Sequence, residues 1–262
     1  MHFAQELIDH ICQNLEDDTA TLIACSQASL SWLWASRRAQ FRALGLSARN
    51  VSNLEDDLAF LEGATFILPN VIHVAVGFGH APWDAPPNEI TLQLWHIERI
   101  LSLFPNTRRL NIEEAEYLSG SSVSKTSYLK SASQLEALSL CGNHFYHDGD
   151  EVECFAAFFS LFTTIRRLEV RILSQDDSPL YPNEKFIKLS KGFSIPSIEH
   201  LSLHSVSLGM LHYFAYSTRT HPVKSLDYSD IDAIAGNAGD PIVIEILKAC
   251  AGHLEAVSIR CE

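Results

Sequence analysis

Hydrophobic and polar positions in the first forty-six residues alternate with the period of short amphipathic helices. The first apolar stripe, spaced four residues apart, consists of Leu7, Ile11 and Leu15. It predicts a helix from about Gln5 to Asn14. The Asp17-Asp18-Thr19 segment ends this pattern, and its side-chain oxygens can cap a second helix from about Thr19 to Ser26. A third predicted helix begins near Ser29, so the segment reads as a three-helix unit with more apolar surface than it can bury alone.

A different pattern governs the rest of the chain. It consists of an apolar residue (threonine in one copy), two variable residues, an apolar residue, one variable residue and another apolar residue. Its seven copies begin at Val71, Thr107, Leu135, Ile165, Ile198, Val223 and Leu254. The first and last copies lie 183 positions apart over six steps, a mean spacing of about thirty residues that indicates a structural repeat. Each copy predicts a short strand.

Helical patterns lie between the predicted strands. Two stripes with the spacing i, i+3, i+4 and i+7 are Phe155-Phe158-Phe159-Phe162 and Val243-Ile246-Leu247-Cys250, and a third helix is predicted from Leu92 to Phe104. The segment from Ser47 to Asp57 is predicted as a joint, with Asp56 and Asp57 in a turn or cap. Strands that alternate with helices predict an α/β fold with a parallel sheet. We therefore divide the chain into a helical domain, residues 1–46, and an α/β repeat domain, residues 47–262.

The charge balance limits the class of partner. The chain has 262 residues and a formal net charge of -13, with Lys+Arg 19 against Asp+Glu 32. This excess of carboxylates argues against nucleic acid, which proteins bind by placing Lys and Arg on phosphates, and against an anionic membrane surface. No stretch approaches the roughly 18 apolar residues of a membrane span, and the N-terminus shows no apolar signal segment. Six scattered cysteines without a C-x-x-C pair lead us to expect reduced thiols, no metal or other cofactor, and a cytoplasmic or nuclear location.

Two clusters carry groups that catalytic or metal sites use. The loop from His144 to Asp150 holds several metal-capable side chains, but it lacks a helix-borne spacing such as H-E-x-x-H. Ser122-Val123-Ser124-Lys125 matches S-x-x-K without the companion motifs of that enzyme class. The sequence favours polar loops in both places and a protein that is not an enzyme. A metal-dependent hydrolase that uses the His144–Asp150 loop is the enzymatic alternative.

The repeat pattern also aligns polar side chains. In each strand, the residues between the buried positions face the open surface of the sheet, so equivalent positions of successive strands form columns. The candidate target-binding residues on these columns are Arg109, Arg167, Arg171, His200 and His204. On an otherwise acidic chain, this cluster can receive an acidic or phosphorylated segment through bidentate arginine contacts. A solvated face with ion pairs to Glu113 and Glu169 is the alternative.

The helical segment contains Phe3-Ala4-Gln5-Glu6-Leu7-Ile8-Asp9-His10-Ile11, the Asp17-Asp18-Thr19 break, Leu22-Ile23-Ala24-Cys25-Ser26 and Ser29-Leu30-Ser31-Trp32. These segments together resemble an F-box. The run that follows, Arg37-Arg38-Ala39-Gln40-Phe41-Arg42, resembles the form common in fungal F-box proteins. The resemblance implies docking on the linker protein of an SCF ubiquitin ligase, and through that protein on a cullin. The linker-binding residues that it implies by position are Phe3, Leu7, Ile8, Ile11, Leu22 and Trp32. A hydrophobic cap on the repeat domain is the alternative role for these residues.

One position departs from the F-box pattern. The family usually opens with Leu-Pro, and this chain has Phe3-Ala4. Loss of the proline removes a rigid entry to the first helix, which we expect to weaken docking without abolishing the fold.

The seven strand patterns resemble leucine-rich repeats, which commonly follow an F-box. The asparagine that the family has after the strand is present once, in Leu138-Ser139-Leu140-Cys141-Gly142-Asn143. The resemblance implies an irregular leucine-rich-repeat-like solenoid of about seven strand–helix units, in which no C-terminal cap is evident. It implies a substrate-recognition adaptor whose repeats bind an unknown protein target. A repeat scaffold for protein–protein interaction without ligase function is the alternative.

Overall fold

The computed structural model describes residues 4–16, 18–48, 50–65, 67–78, 91–118, 133–142, 144–146, 151–171, 194–230 and 240–261. Within these ranges the chain forms eight α-helices, one 3-10 helix at Leu68–Asn70 and eleven strands. The fold is mixed α/β with a parallel sheet, as predicted. Eight of the described strands form that sheet, one more than the seven strand patterns of the sequence. No helix in these ranges combines the length and the apolar character needed to cross a membrane.

Three helices lie at the start of the described chain, at the predicted positions: α1 Gln5–Asn14, α2 Thr19–Ser26 and α3 Leu30–Gln40. The predicted cap of α2 is present, because the N–H of Thr21 donates to Asp18 Oδ1 at 2.9 Å. The side-chain and backbone hydrogen bonds from Thr21 lower the pKa of the Asp18 carboxyl. Ser29 caps α3, since its Oγ accepts from the N–H of Trp32 at 3.5 Å. Polar residues therefore determine where α2 and α3 begin.

In the large parallel sheet, neighbouring strands follow one another in the order of the chain. Its strands, in spatial order, are β1 Ala43–Ala48, β2 His73–Phe78, β4 Arg109–Glu113, β6 Ser133–Cys141, β8 Phe162–Arg171, β9 Ser197–His204, β10 Ser225–Asp230 and β11 Ala256–Cys261. A second parallel sheet consists of β3 Thr91–Gln93, β5 Glu116–Leu118 and β7 His144–Tyr146. All seven predicted strand patterns are strands of the large sheet.

Helices and strands share one large hydrophobic core. The helices that contribute to it are α4 Val51–Glu62, α5 Leu94–Leu103, α6 Glu151–Phe159, α7 Leu208–Thr220 and α8 Asp240–Cys250. The strands contribute a buried row that contains Val74, Leu110, Leu138, Leu168, Leu201 and Leu226. Because these residues fall on the apolar positions of the repeat pattern, the side chains between them face away from the helices.

Aromatic side chains fill the core between α6 and α7. The rings of Phe155 and Phe214 meet edge to face, with centroids 5.6 Å apart and planes at 89°. Tyr213 lies beside them, and burial raises the pKa of its hydroxyl. Edge-to-face contacts of this kind add to the free energy gained by burying the rings.

Two features of the first strand and helix after the helical unit differ from the sequence interpretation. The boundary placed between residues 46 and 47 falls inside β1, which pairs with β2 from Ala43 to Ala48. The segment predicted as a joint contains the start of α4, and Asp56 and Asp57 lie within that helix. Burial of Leu54, Leu58 and Leu61 against the sheet outweighs the turn preference of the two aspartates.

The phenylalanine stripe is also shorter than predicted. Helix α6 ends at Phe159, and Phe162 is the first residue of β8. Phe162 is fully buried and packs on Phe158, with ring centroids 5.6 Å apart. Phe162 fits the spacing of the stripe because its side chain enters the same core as Phe155, Phe158 and Phe159. It does so from the first position of a strand and not from the helix.

The last strand has an open side. Val257 and Ile259 of β11 stand opposite Leu226 and Tyr228 of β10, at positions that are buried in the preceding strands. They are nevertheless 49% and 45% exposed, because no element in the described ranges covers them.

Candidate functional site

The three N-terminal helices form a unit with a hydrophobic core of its own. That core consists of Ile8, Cys12, Leu22, Ala35 and Ala39, against which Leu15 and Trp32 are partly buried. Polar contacts add to it, with Cys12 Sγ 3.6 Å from Ser36 Oγ inside and Arg38 Nη2 2.7 Å from Asp9 Oδ1 at the surface. The core is small, so only a minority of the apolar side chains in these helices can enter it.

The remaining apolar side chains of the unit are exposed. We call the following set the apolar helical surface: Leu7 (45% exposed), Ile23 (49%), Leu30 (72%) and Trp34 (56%). Leu30 and Trp34 are one turn apart on α3 and share a face of that helix. Among the described residues, eight large hydrophobic side chains are exposed, and half of them belong to these three helices. Such a concentration on about forty residues is typical of an interaction surface.

A separate groove lies between α2 and α3, and none of these four side chains lines it. It has a volume of about 610 Å³ and is lined by Ala20, Thr21, Ala24, Cys25, Ala28 and Trp32. Its lining consists mostly of small side chains in or just after α2, and Trp32 supplies its one large side chain. Burial raises the pKa of the Cys25 thiol, so this groove presents a neutral, apolar lining. An aliphatic or aromatic side chain of a partner can enter it.

The residues that the F-box resemblance implies for linker binding differ in their exposure to solvent. Leu7 is exposed, and Ile11 and Trp32 are half-buried. Ile8 and Leu22 are 3% and 0% exposed, so in this chain they pack the core and cannot touch a partner directly. Phe3 lies outside the described residues.

Sequence reasoning did not select Ile23, Leu30 and Trp34. Helix α2 reads Thr-Ala-Thr-Leu-Ile-Ala-Cys-Ser, which is apolar on every side, so periodicity cannot tell buried Leu22 from exposed Ile23. For α3 a signal was present, because Leu30 and Trp34 have the i, i+4 spacing of a single face.

The open face of the large sheet carries the predicted columns. Strand pairing places one residue of each strand beside its equivalent, and we call the first such set the donor row: His73, Arg109, Ala137, Arg167, His200, Ser225 and Ala256. The second set contains Asn111, Ser139, Glu169, Ser202 and Asp227, and the third contains Glu113, Cys141, Arg171, His204, Ser229 and Arg260. The predicted register is therefore confirmed for all seven strands. In this register Arg109, Arg167 and His200 lie in the first column, and Arg171 and His204 lie in the third.

Immediately before the donor row lies a ladder of alternating charges at the start of the strands. Arg108 Nη1 is 3.1 Å from Glu136 Oε1, and Arg166 Nε is 3.7 Å from Glu199 Oε2. Lys224 Nζ approaches the same Glu199 oxygen at 3.3 Å. We call these five residues the edge ladder. Each cation in it has a carboxylate partner, so its charges largely cancel.

Charged residues of the second and third columns also pair with one another. Arg171 Nε lies 2.8 Å from Glu169 Oε1, and Arg260 Nη2 lies 3.5 Å from Asp227 Oδ2. Glu113 accepts a hydrogen bond from Asn111 Nδ2 at 2.8 Å. The predicted alternative of ion pairs on the face thus holds for Arg171.

Two histidines are held by serines of the neighbouring strand. His200 Nδ1 lies 2.8 Å from Ser225 Oγ, and His204 Nδ1 lies 2.6 Å from Ser229 Oγ. His204 Nε2 is also 2.8 Å from Ser202 Oγ, so both of its ring nitrogens are engaged. For Nε2 of His200 the described residues supply no partner, so this nitrogen is available toward the open face.

Arg109 and Arg167 differ from every other cation of the face. Both side chains are exposed, and neither has an ion pair or hydrogen bond with any residue in the described ranges. The donor row contains no carboxylate. Within the row, burial and, to a smaller extent, the charge of Arg109 lower the pKa of His73. Arg109 and Arg167 are therefore two cations of the row without an ion-pair partner among the described residues, while Glu169 and Asp227 line the depression that contains Arg167.

Two shallow depressions lie over β6 to β11 on this face. One, of about 360 Å³, includes Ala137, Arg167, His200 and Ser225 in its lining. The other, of about 400 Å³, includes Arg171, His204, Ser229 and Arg260. Glu169, Ser202 and Asp227 line both, so the two depressions are continuous. Together they can hold an extended segment of chain but no deeply enclosed ligand.

The candidate enzymatic loops fall largely outside the structural description. Of the His144–Asp150 loop, the structure describes the strand His144–Tyr146, and residues 147–150 lie outside the described residues, as does Ser122–Lys125. Across the ranges that are described, no three His, Cys, Asp or Glu side chains converge in a way that can hold a metal ion.

Comparison with known proteins adds no relative to this picture. No family model matches the chain, and no curated protein or solved structure is significantly similar to it. What the chain does must therefore be argued from its own two surfaces, the apolar helical surface and the open face of the sheet.

Proposed function

We propose that the protein is a substrate-recognition adaptor of an SCF ubiquitin ligase. In this proposal the three-helix unit is an F-box that docks on the linker protein, and through it on a cullin. The α/β part is a leucine-rich-repeat-like solenoid whose open sheet face binds a protein target in the cytoplasm or nucleus. The adaptor performs no chemistry itself, because its effect is to raise the concentration of the target beside the ligase.

The observation that carries the proposal is the apolar helical surface. A three-helix unit that served as a simple cap would turn its large apolar side chains toward the chain's own core. Here Leu30 and Trp34 are exposed, whereas the smaller residues Ala35 and Ala39 of the same helix are buried. Full burial of a large apolar side chain contributes roughly 1.5–3 kcal/mol, so four such side chains supply a substantial part of a stable interface.

The second support is that the two proposed binding surfaces belong to regions with separate hydrophobic cores. The helical unit has its own core, and the sheet has another, so a partner on one need not disturb the other. The open face of seven successive strands offers a broad polar surface of the kind that repeat proteins use to recognise partners.

Co-expression with the SCF linker protein, followed by size-exclusion chromatography, tests the proposal. We expect the two proteins to elute as a one-to-one complex. Leu30→Asp should abolish co-elution, because it places a charge in the apolar interface. Phe60→Asp is the matched control, since Phe60 is also strongly exposed (77%) but lies on α4, away from the helical unit.

A repeat scaffold without ligase function is the second candidate. The observation that favours it is Phe3-Ala4 in place of the Leu-Pro with which an F-box usually opens. A folded wild-type chain that elutes separately from the linker protein would select the scaffold. Restoration of the complex by the double substitution Phe3→Leu and Ala4→Pro would then identify the altered entry as the cause.

A further inference from the structure

The outer strand of the large sheet, β11, has an edge that no described residue covers. It is the last of the eight strands in spatial order, so one side of its backbone has no neighbouring strand within the described ranges. Soluble proteins usually protect such an edge with lysine, proline or a covering element, because an open edge is a template for another strand. Strand β11 has neither lysine nor proline, and its one charged side chain, Arg260, lies 3.5 Å from Asp227 of β10. This edge can therefore accept a further strand.

The apolar side chains of β11 specify one property of a strand that binds there. Val257 and Ile259 are nearly half exposed, whereas the equivalent side chains of β2, β4, β6, β8, β9 and β10 are no more than 4% exposed. At the opposite edge of the sheet, Leu46 of β1 is also buried, at 5% exposed. Apolar side chains in register with Val257 and Ile259 would give these two the burial that their equivalents have, which is favourable.

The charge at the start of β11 specifies a second property. Along the edge ladder the sign of the charge alternates from strand to strand, in the order Arg108, Glu136, Arg166, Glu199 and Lys224. Glu255 occupies the equivalent position of β11, directly before Ala256, which pairs with Ser225. It is exposed and has no ion pair with a described residue, since Lys224 approaches Glu199 instead. A lysine or arginine beside Glu255 would continue the alternation.

The backbone at this position specifies the direction of an added strand. Four residues directly before strands have a carbonyl oxygen that accepts two successive N–H groups of the next strand: Arg42, Ile72, Arg108 and Lys224. The oxygen of Lys224 accepts from the N–H groups of Glu255 and Ala256, at 2.7 and 3.3 Å. Within the described chain no N–H donates to the carbonyl oxygen of Glu255. A strand parallel to β11 can repeat the same pair of hydrogen bonds there.

We infer that β11 binds an extended segment of a partner protein as a ninth, parallel strand of the large sheet. The segment carries a lysine or arginine beside Glu255 and apolar side chains two and four residues later, beside Val257 and Ile259. Strand addition of this kind takes its affinity from main-chain hydrogen bonds and its specificity from alternate side chains. The edge is separate from the apolar helical surface and from the open face, so the inference stands or falls independently of the adaptor proposal.

A second copy of this chain fits the edge less well. Two copies of β11 related by a two-fold axis pair antiparallel, so they cannot repeat the pair of N–H donors at the carbonyl oxygen of Glu255. The register that places Arg260 opposite Glu255 also places Val257 opposite Ser258, so the apolar side chains do not meet. Each copy further has a formal net charge of -13, which opposes association.

The probe is a set of three fluorescein-labelled peptide libraries with three fixed residues and degenerate polar positions between them. The first library has the order Lys-x-Val-x-Val, the second has Glu in place of Lys, and the third has the reverse order Val-x-Val-x-Lys. Binding to the full chain is measured by fluorescence anisotropy, without the SCF linker protein. We expect the first library to bind at least about threefold more tightly than either of the others, because it alone matches both the charge and the direction.

Two glutamates at equivalent positions give a matched pair of variants. Glu255→Lys and Glu136→Lys change the net charge equally, but Glu136 belongs to a strand with neighbours on both sides. Glu255→Lys should reverse the preference in favour of the Glu library, and Glu136→Lys should leave the preference unchanged. The double variant Val257→Thr/Ile259→Thr should bind the first library at least about fivefold more weakly, because it removes the apolar contact. Circular dichroism verifies that all three variants are folded.

Three results with the libraries would overturn the inference. They are absence of binding to any library, equal binding of the first and third libraries, and an unchanged preference in Glu255→Lys. Sedimentation velocity of the chain alone supplies a fourth. A dimer that the Val257→Thr/Ile259→Thr variant cannot form would assign the edge to a second copy of the chain instead.

Discussion

Arg38 Nη2 lies 2.7 Å from Asp9 Oδ1, and this contact joins α3 to α1 at the surface of the helical unit. The Arg38 side chain is half exposed, so solvent screens the pair and its contribution is about 0–1 kcal/mol. Beneath it, the apolar core around Leu22 holds the same helices together. The unit that we propose as a docking module is thus assembled before any partner binds, mainly by a few buried side chains.

Leu22→Ala should destabilise the helical unit by about 2–5 kcal/mol, because it removes a fully buried side chain and leaves a cavity. Arg38→Gln should cost no more than about 1 kcal/mol. Pulse proteolysis in urea, with cleavage sites mapped within α1–α3, measures both. A larger loss in Arg38→Gln than in Leu22→Ala would mean that surface ion pairs, and not the core, hold the unit together.

The aromatic cluster should dominate the stability of the sheet region. Phe155→Ala deletes a buried ring that contacts Tyr213 and Phe214, and the expected cost is about 3–5 kcal/mol. Phe60→Ala removes an exposed ring and should change the unfolding free energy by no more than about 0.5 kcal/mol. Urea denaturation followed by circular dichroism distinguishes these values. Similar losses in the two variants would contradict the packing described for α6 and α7.

The strand pattern was informative because it fixes three buried positions per strand and therefore the register of the whole sheet. It placed Arg109, Arg167 and His200 in one column, as the pairing confirms. Strand β1 was missed, since its burial depends on pairing with β2, a contact between residues about thirty positions apart. Helix α7, Leu208–Thr220, was overlooked although Met210, Leu211 and Phe214 are spaced as a buried helical face.

Less of the candidate site was predictable than of the fold. Arg166 and Arg167 are chemically identical neighbours, and which of them finds a carboxylate depends on where side chains of β9 lie. The same limit applies to Leu22 and Ile23, because a short helix that is apolar all round contains no periodic signal for its buried side. Pairing across strands and packing between helices decide both cases.

A buried histidine should make stability depend on pH. The N–H of Gln93 donates to His96 Nδ1 at 3.0 Å, so the imidazole is neutral with its proton on Nε2, which faces Glu55 Oε1 at 3.2 Å. Burial lowers the pKa of His96, and this outweighs the opposing effect of Glu55. As the pH falls below about 6.5, the unfolded chain takes up a proton that the folded chain resists, so the unfolding free energy decreases.

His96→Gln isolates this contribution. Between pH 7.5 and 5.5, roughly the range around the ordinary pKa of histidine, the unfolding free energy should fall less steeply in the variant than in the wild type. Part of the slope should remain, because burial also lowers the pKa values of His73 and His212. Denaturation curves at a series of pH values provide the comparison. An unchanged slope would show that His96 does not titrate differently in the two states.

Gly142 occupies a backbone conformation that other residues resist. Its φ is 63°, and an added Cβ would lie 3.4 Å from Glu114 Cγ. Gly142→Ala should therefore destabilise the protein by about 1–2 kcal/mol. Gly45→Ala is the control, since a Cβ there meets open space within a strand and should stabilise by about 0.5–1 kcal/mol. Thermal unfolding of the two variants tests the contrast, and a stable Gly142→Ala protein would refute the strain.

The most direct test of the adaptor proposal is amide hydrogen exchange of the chain with and without the SCF linker protein. We expect the linker to slow exchange within α1, α2 and α3, around the apolar helical surface of Leu7, Ile23, Leu30 and Trp34, and to leave β8, β9 and β10 unchanged. Unchanged exchange throughout, at linker concentrations that saturate an authentic F-box protein, would contradict the proposal. Slower exchange in the sheet alone would also contradict the proposal, because the linker protein would then bind the face that we assign to the target.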